Sequence, residues 1–422
     1  MASSFFGLQP GQALTSLVQL ARLASRGLRE CDMDEAGNLS VIPGVERLKA
    51  EGWPLRHGAR VGLLTNPTGV DRQLRSTVER LRASDWVKLV VLFGPEHGVW
   101  GDRQAGEPVP HTTDPHTGLP VYSLYGEQRA PTPAMLEGLD AIIVDLQDVG
   151  ARFYTYPSTL FALQAAAAQA GVPVVVLDRP NPLGGAIEGP RLDPSLRSFV
   201  GIFPLPIRHG LTLGELARLF AQQAEWPEPI IVPVAHWRRS QRFDQTGLPW
   251  VPPSPNLPTL TATFLYPGTC LLEATNCSEG RGTTLPFQLV GAPWIDPFVL
   301  AETVNAAGLP GLRARPAYFI PQWSKHAGTR CGGVQLHVLD PAALQPVRLG
   351  ITLLAALRAQ NPDAFSWRQW EDGRVVIDLL AGTPQLRQAL EAGVPPDAIA
   401  ASWKEDEQAF AAERASVSLY PD

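Results

Sequence analysis

A chain of 422 residues, 45% of them hydrophobic, can bury a large core, and its length favours two globular units over one. Thirty-five basic against forty-one acidic side chains give a formal net charge of -6, which excludes a general electrostatic pull toward nucleic acid or anionic membrane and leaves anion binding to local arginines. The longest apolar runs, residues 141–144 and 172–177, fall far short of the roughly 20 residues that a membrane-crossing helix needs.

Residues 1–55 read as a helical extension and lead-in. Their apolar pieces have no basic residue ahead of them and are interrupted by Gln, Ser and Arg, so no secretory signal is read and a cytoplasmic location is expected. Cys31, Cys270, Cys277 and Cys331 are too few and scattered for a disulfide framework. They read as thiols in a reducing compartment, with a Cys270–Cys277 bridge as the lesser alternative.

A strand at 60–65 opens the core domain. Helical spacing follows over 71–84, then a β-rich run at 87–93, and strands at 139–146 and 173–177 flank a helix over 158–170. Buried strands alternating with helices imply an α/β fold with a mostly parallel, doubly wound sheet. Thr212 and Glu215 are spaced as a capping box, which places a turn at His209-Gly210-Leu211 between a strand at 205–208 and the next helix. Another strand is expected at 229–235, and the Pro- and Gly-dense stretch 250–268 reads as the domain hinge. Beyond it, strands near 318–321 and 334–339 and helices over 346–358, 383–392 and 396–413 read as a smaller α/β domain. The expected boundaries are 56–284 for the first domain and 285–422 for the second.

In open parallel sheets the ligand crevice lies beyond the carboxyl ends of the strands. Four successive strand ends carry ionisable residues framed by Gly and Pro: Gly94-Pro95-Glu96-His97-Gly98, the run from Gln147 to Tyr156, Asp178-Arg179-Pro180-Asn181-Pro182, and His209. Any one tip reads equally well as a turn; four together describe a cleft. Hydrolysis of a glycoside generally needs two carboxyl groups, and such tips can supply both. Glu96, after an apolar strand and between Pro95 and His97, is the first choice for the acid, with Asp148 and Glu188 nearly equal as its partner. Asp148 reads alternatively as an ion-pair partner of Arg152. His97, Arg152, Tyr154, Tyr156, Arg179 and Asn181 are candidate substrate contacts, and the loop 273–283 adds Asn276 and Arg281.

Neither a dinucleotide-binding nor a P-loop glycine motif occurs, and no Gly-x-Ser-x-Gly elbow is present. No cofactor is therefore expected. His97, His111 and His116 with Asp102 and Asp114 match no zinc spacing, which makes a metal-dependent hydrolase the minor enzymatic alternative. A non-catalytic binding protein for cell-wall sugars is the alternative from another class.

The segments 64–69, 94–98, 119–126, 145–156, 178–182, 266–268 and 273–283 resemble the exo-acting β-N-acetylmuramidases, the NamZ-like family formerly known as a domain of unknown function. The resemblance implies a Rossmann-like catalytic domain, a smaller C-terminal domain closing the cleft, and release of terminal N-acetylmuramic acid from peptidoglycan fragments. It also implies that Glu96 is the family's catalytic glutamate. A saccharide carrying a lactyl carboxylate would then be held by one or more of Arg152, Arg179 and Arg281.

Overall fold

Alternating residues of the short apolar strands enter two separate cores. Ile142, Val144, Val174 and Val176 face one, while Ala141, Ile143, Val175 and Leu177 face the other, as a period of two requires of strands covered on both sides. A computed structural model describes residues 40–48 and 52–422. Most of the expected helical extension, and Cys31 with it, lies outside the described residues.

The central sheet has seven strands: β1 (Ala59–Thr65), β2 (Val87–Gly94), β3 (Thr112–Thr113), β4 (Pro120–Ser123), β5 (Ala141–Asp145), β6 (Val174–Leu177) and β9 (Ile230–Val232), in the order β3-β4-β2-β1-β5-β6-β9. Every pairing is parallel except β3 with β4. Short helices α1 (Gly44–Arg47) and α2 (Thr77–Arg82) supply Val45 and Leu81 to one core; α4 (Thr155–Ala170) and α5 (Leu213–Ala224) cover the opposite face. The chain runs outward from β1 in both directions, the doubly wound arrangement expected. A further short helix, α3 (Pro133–Leu136), precedes β5.

Helix α2 starts later than its apolar spacing predicts. The Asp71 carboxylate accepts the backbone N–H groups of Gln73 and Arg75 and holds that stretch as a turn, and Ser76 with Glu79 forms the capping box that opens the helix. The expected capping box of α5 forms between Thr212 and Glu215. The strand expected at 205–208 is present as β8 (Pro206–Arg208), but it stands outside the parallel sheet and pairs antiparallel with β7 (Glu188–Arg191). His209 therefore follows a two-stranded ribbon, a correction to the reading of four tips on one sheet.

The stretch 250–268 is irregular only in its first part. Tyr154 and Tyr156 both donate to the carbonyl of Pro253, and Leu260–Thr269 is a helix, α6, with Pro267 in its last turn. Helix α6 crosses α8 (Pro346–Gln360) at a pair of glycines. A Cβ on Gly268 would sit 1.8 Å from the Pro346 carbonyl oxygen, and one on Gly350 would sit 2.5 Å from the Gly268 oxygen, so only glycine permits the approach. The remaining sheet is antiparallel, β10 (Leu289–Ala292), β12 (Cys331–Val338) and β11 (Leu312–Phe319), packed by α7 (Pro297–Ala306), which in turn packs on α8. Helices α9 (Val376–Ala381), α10 (Gln385–Glu391), α11 (Pro396–Ala401) and α12 (Lys404–Ala415) complete the chain. The single helix expected over 396–413 is broken at Ser402 and Trp403, whose indole is buried. Residues Ile42–Asp422 form one compact unit. Among the described residues Cys270, Cys277 and Cys331 are buried, unpaired thiols, so the alternative Cys270–Cys277 bridge does not form.

Candidate active site

At the tip of β2 the chain turns through two left-handed residues, His97 with φ 72° and Gly98 with φ 77°. A non-glycine residue held there signals a local constraint. The turn keeps Glu96 against groups from three different segments. Its Oε1 accepts the Gly106 N–H at 3.0 Å, its Oε2 accepts the Thr155 hydroxyl at 2.7 Å, and the Tyr125 side chain stands beside the same carboxylate. Burial, reinforced by the Glu96 charge, pushes the Tyr125 hydroxyl far above the ordinary phenol range. Thr155 begins α4 at the far end of the loop that follows β5, so the carboxylate is fixed by segments that follow two parallel strands.

His97 donates from Nδ1 to the Arg103 carbonyl at 2.8 Å. Burial holds its imidazole below the ordinary range; the nearby Glu96 pulls the other way and Arg281 adds to the lowering. That mutual influence brings the β2 tip and the loop 273–283 to the same place.

They face a cavity of ≈ 920 Å³ lined by Glu96, His97, Tyr125, Tyr154, Glu273, Glu279 and Arg281 among others. On its far wall Arg281 is held by two carboxylates, Nη2 to Glu273 at 2.6 Å and Nε to Glu279 at 3.2 Å, and its guanidinium lies 5.1 Å from the centre of the Phe287 ring. Its remaining nitrogen, Nη1, is buried and has no partner among the described residues. Lys325 also binds Glu279, at 2.9 Å. Burial works to raise the Glu279 carboxyl, but the charges of Lys325 and Arg281 together hold it below its usual range. At the rim Arg129 stacks on Phe199 at 4.7 Å and Arg374 on Trp370 at 4.8 Å. Arg197 also lines the cavity.

Of the residues expected from sequence, Glu96, His97, Tyr154 and Arg281 meet in this cavity. The others lie elsewhere. Asp148 accepts the Gly150 N–H and stands 3.6 Å from His209, and it makes no ion pair with Arg152. Arg152 is wholly buried and donates to the carbonyls of Pro190, Leu205 and Leu380; with no acid beside it, burial brings its pKa down to about 9. Arg179 is consumed by Asp145 in a two-pronged ion pair at 2.5 and 2.9 Å, across the point where the outgoing connections of β1 and β5 diverge. Asn181 bonds the Leu211 carbonyl and Leu183 N–H, and Asn276 bonds Ala364 and Ser366. The Tyr156 hydroxyl is held between Asn66 and Pro253. Glu188, on β7, accepts the Arg348 N–H at 2.8 Å and closes the first turn of α8 from a distance, lining a different hollow. These residues tie loops together because short polar side chains at strand ends also satisfy backbone groups there.

Sequence reasoning did not single out Tyr125, Arg129, Arg197, Glu273, Glu279 or Lys325. Tyr125 lies within the family-like segment 119–126, and Glu273 and Glu279 within 273–283, where arginine and amide groups drew the attention instead. Nothing local marks Arg129, Arg197 or Lys325.

The exo-β-N-acetylmuramidase NamZ family models match in two parts, the N-terminal model over residues 61–261 and the C-terminal model over 264–420. The chain is 45% identical over 382 residues to the peptidoglycan β-N-acetylmuramidase NamZ of Bacillus subtilis strain 168, covering 90% of this chain and 91% of that protein. Two crystal structures of DUF1343 family proteins from Bacteroides fragilis superpose with TM-scores of 0.82 and 0.73, at 36% and 33% identity, each covering 90% of this chain and 99% of the other. With both models matched across the segments that build the cavity, this chain belongs to the NamZ family of exo-β-N-acetylmuramidases.

Proposed function

We propose that the chain is a glycoside hydrolase that removes terminal β-N-acetylmuramic acid from the non-reducing end of peptidoglycan fragments, with Glu96 as its acid group. The observation that carries this reading is the Glu96 carboxylate, fixed by Gly106 and Thr155 beside Tyr125 at the wall of a cavity large enough for a disaccharide. Such fixing supports a role in which the carboxyl group is held at a defined place relative to the leaving oxygen. The far wall supports an acidic sugar: Arg281 offers one uncommitted buried nitrogen, suited to a single oxygen of a lactyl carboxylate.

The test is release of chromophore from nitrophenyl β-N-acetylmuramide. Turnover by the wild type that disappears in Glu96→Gln and is unaffected by a chelator supports the reading. Sugar binding without turnover in folded wild type would replace it with a binding protein.

Among the described residues no helix is long and apolar enough to cross a membrane. The three buried thiols support a reducing surrounding, and we assign the chain to the cytoplasm; fractionation in which it appears outside the cell would overturn that assignment.

A further inference from the structure

The cavity lacks an obvious second carboxylate for a two-acid mechanism. Besides Glu96 its lining carboxylates are Glu273 and Glu279, and both are engaged by Arg281, with Lys325 on Glu279 as well. Beside Glu96, however, stands a group with one face unused. A carbonyl oxygen can only accept, so the His97 nitrogen facing Arg103 must carry the proton. In the neutral ring the other nitrogen, Nε2, then bears a lone pair, and among the described residues it has no partner, while the residue lines the cavity. Burial favours that neutral ring. Glu96 and His97 are consecutive residues on one turn, and both line the cavity. They can serve neighbouring substituents on one ring.

We propose that His97 is a second catalytic residue, whose Nε2 accepts the N–H of the substrate's 2-acetamido group while Glu96 serves the glycosidic oxygen next to it. This rests on the muramidase reading above. The acetamido oxygen forms a bond to C1 as the glycosidic C–O bond breaks. The leaving oxygen takes that electron pair and the proton of Glu96, and the amide proton passes to Nε2, leaving a neutral oxazoline. Water then adds to C1, giving a proton to the Glu96 carboxylate; the C1–oxazoline oxygen bond breaks and the nitrogen recovers its proton from His97. Both residues return to their starting states and the anomeric configuration is retained.

The experiment uses the full chain with nitrophenyl β-muramides bearing N-acetyl, N-fluoroacetyl, N-difluoroacetyl and N-trifluoroacetyl groups, with the first-formed anomer followed by NMR. The wild type should release the β-anomer, with kcat falling steeply as fluorine is added. In His97→Ala, kcat for the N-acetyl substrate should fall about 10²- to 10³-fold with KM changed less than about threefold, the span of general acid–base catalysis. His97→Asn, which tolerates the left-handed backbone, serves if the alanine variant does not fold. An α-anomer, a flat fluorine series, or near-normal kcat in either folded variant would overturn the role of His97 and leave the muramidase reading standing. Absence of muramide turnover in the wild type would overturn both.

Discussion

Arg152 Nη2 donates to the Leu380 carbonyl oxygen at 2.7 Å, joining the loop after β5 to α9 across 228 residues of chain. Its Nη1 donates to two more carbonyls, Pro190 and Leu205, and among the described residues no carboxylate stands beside it. Removing the donor takes the Arg152 hydrogen bonds from the buried Pro190 and Leu380 oxygens, while the Leu205 oxygen keeps the Leu192 N–H. Arg152→Met should therefore lower unfolding stability by about 3 kcal/mol in urea titration. Muramide KM in the surviving folded enzyme should stay unchanged, and a large rise would return Arg152 to the list of substrate contacts.

Glu188 carries a stability term that depends on pH. Burial raises its pKa to about 7 from 4.5, against the opposing charge of Arg208. With the folded value above the unfolded one, the folded state binds the extra proton between them. Stability from this group is thus present below pH 4.5 and is lost as pH rises through 7, at up to about 1.4 kcal/mol per unit. Urea midpoints of the wild type and Glu188→Gln at pH 5 and 7.5 should differ in slope. Equal pH dependence in the two proteins would remove this account.

Thr155 and Tyr125 stand at the carboxylate of Glu96 and need not touch the sugar. Thr155→Val and Tyr125→Phe should each reduce kcat about tenfold with little change in KM, one hydrogen bond being worth roughly 1–1.5 kcal/mol. A selective rise in KM would instead make either hydroxyl a direct contact.

Arg281→Lys keeps a cation for Glu279 and Glu273 but removes the free Nη1. KM for nitrophenyl β-N-acetylmuramide should rise about tenfold, the worth of a charge-assisted hydrogen bond, while the matching N-acetylglucosaminide is little affected. Equal losses on both substrates would end the case for a lactyl contact at this nitrogen.

The sheet was legible because its central strands are short and mostly apolar, with β5 and β6 running unbroken up to Asp145 and Asp178, and the Thr212–Glu215 spacing announced α5 directly. Glu96 was legible for the same reason. What sequence spacing could not tell is where a polar side chain spends its hydrogen bonds. Asp145 and Arg179 look like cleft residues and instead neutralise each other; Glu188 looks like a loop carboxylate and instead holds the start of α8. Local pattern also placed β8 in the wrong sheet, since three residues give no signal of their pairing partner.

The seam between the two family models, residues 262–263, runs through the first half of α6, not through a linker. The same helix meets α8 in direct glycine contact, so the join between the matched segments lies inside a packed helix pair. The two matched segments are thus joined by shared backbone packing, and a bulkier residue at Gly268 or Gly350 would force the two helices apart.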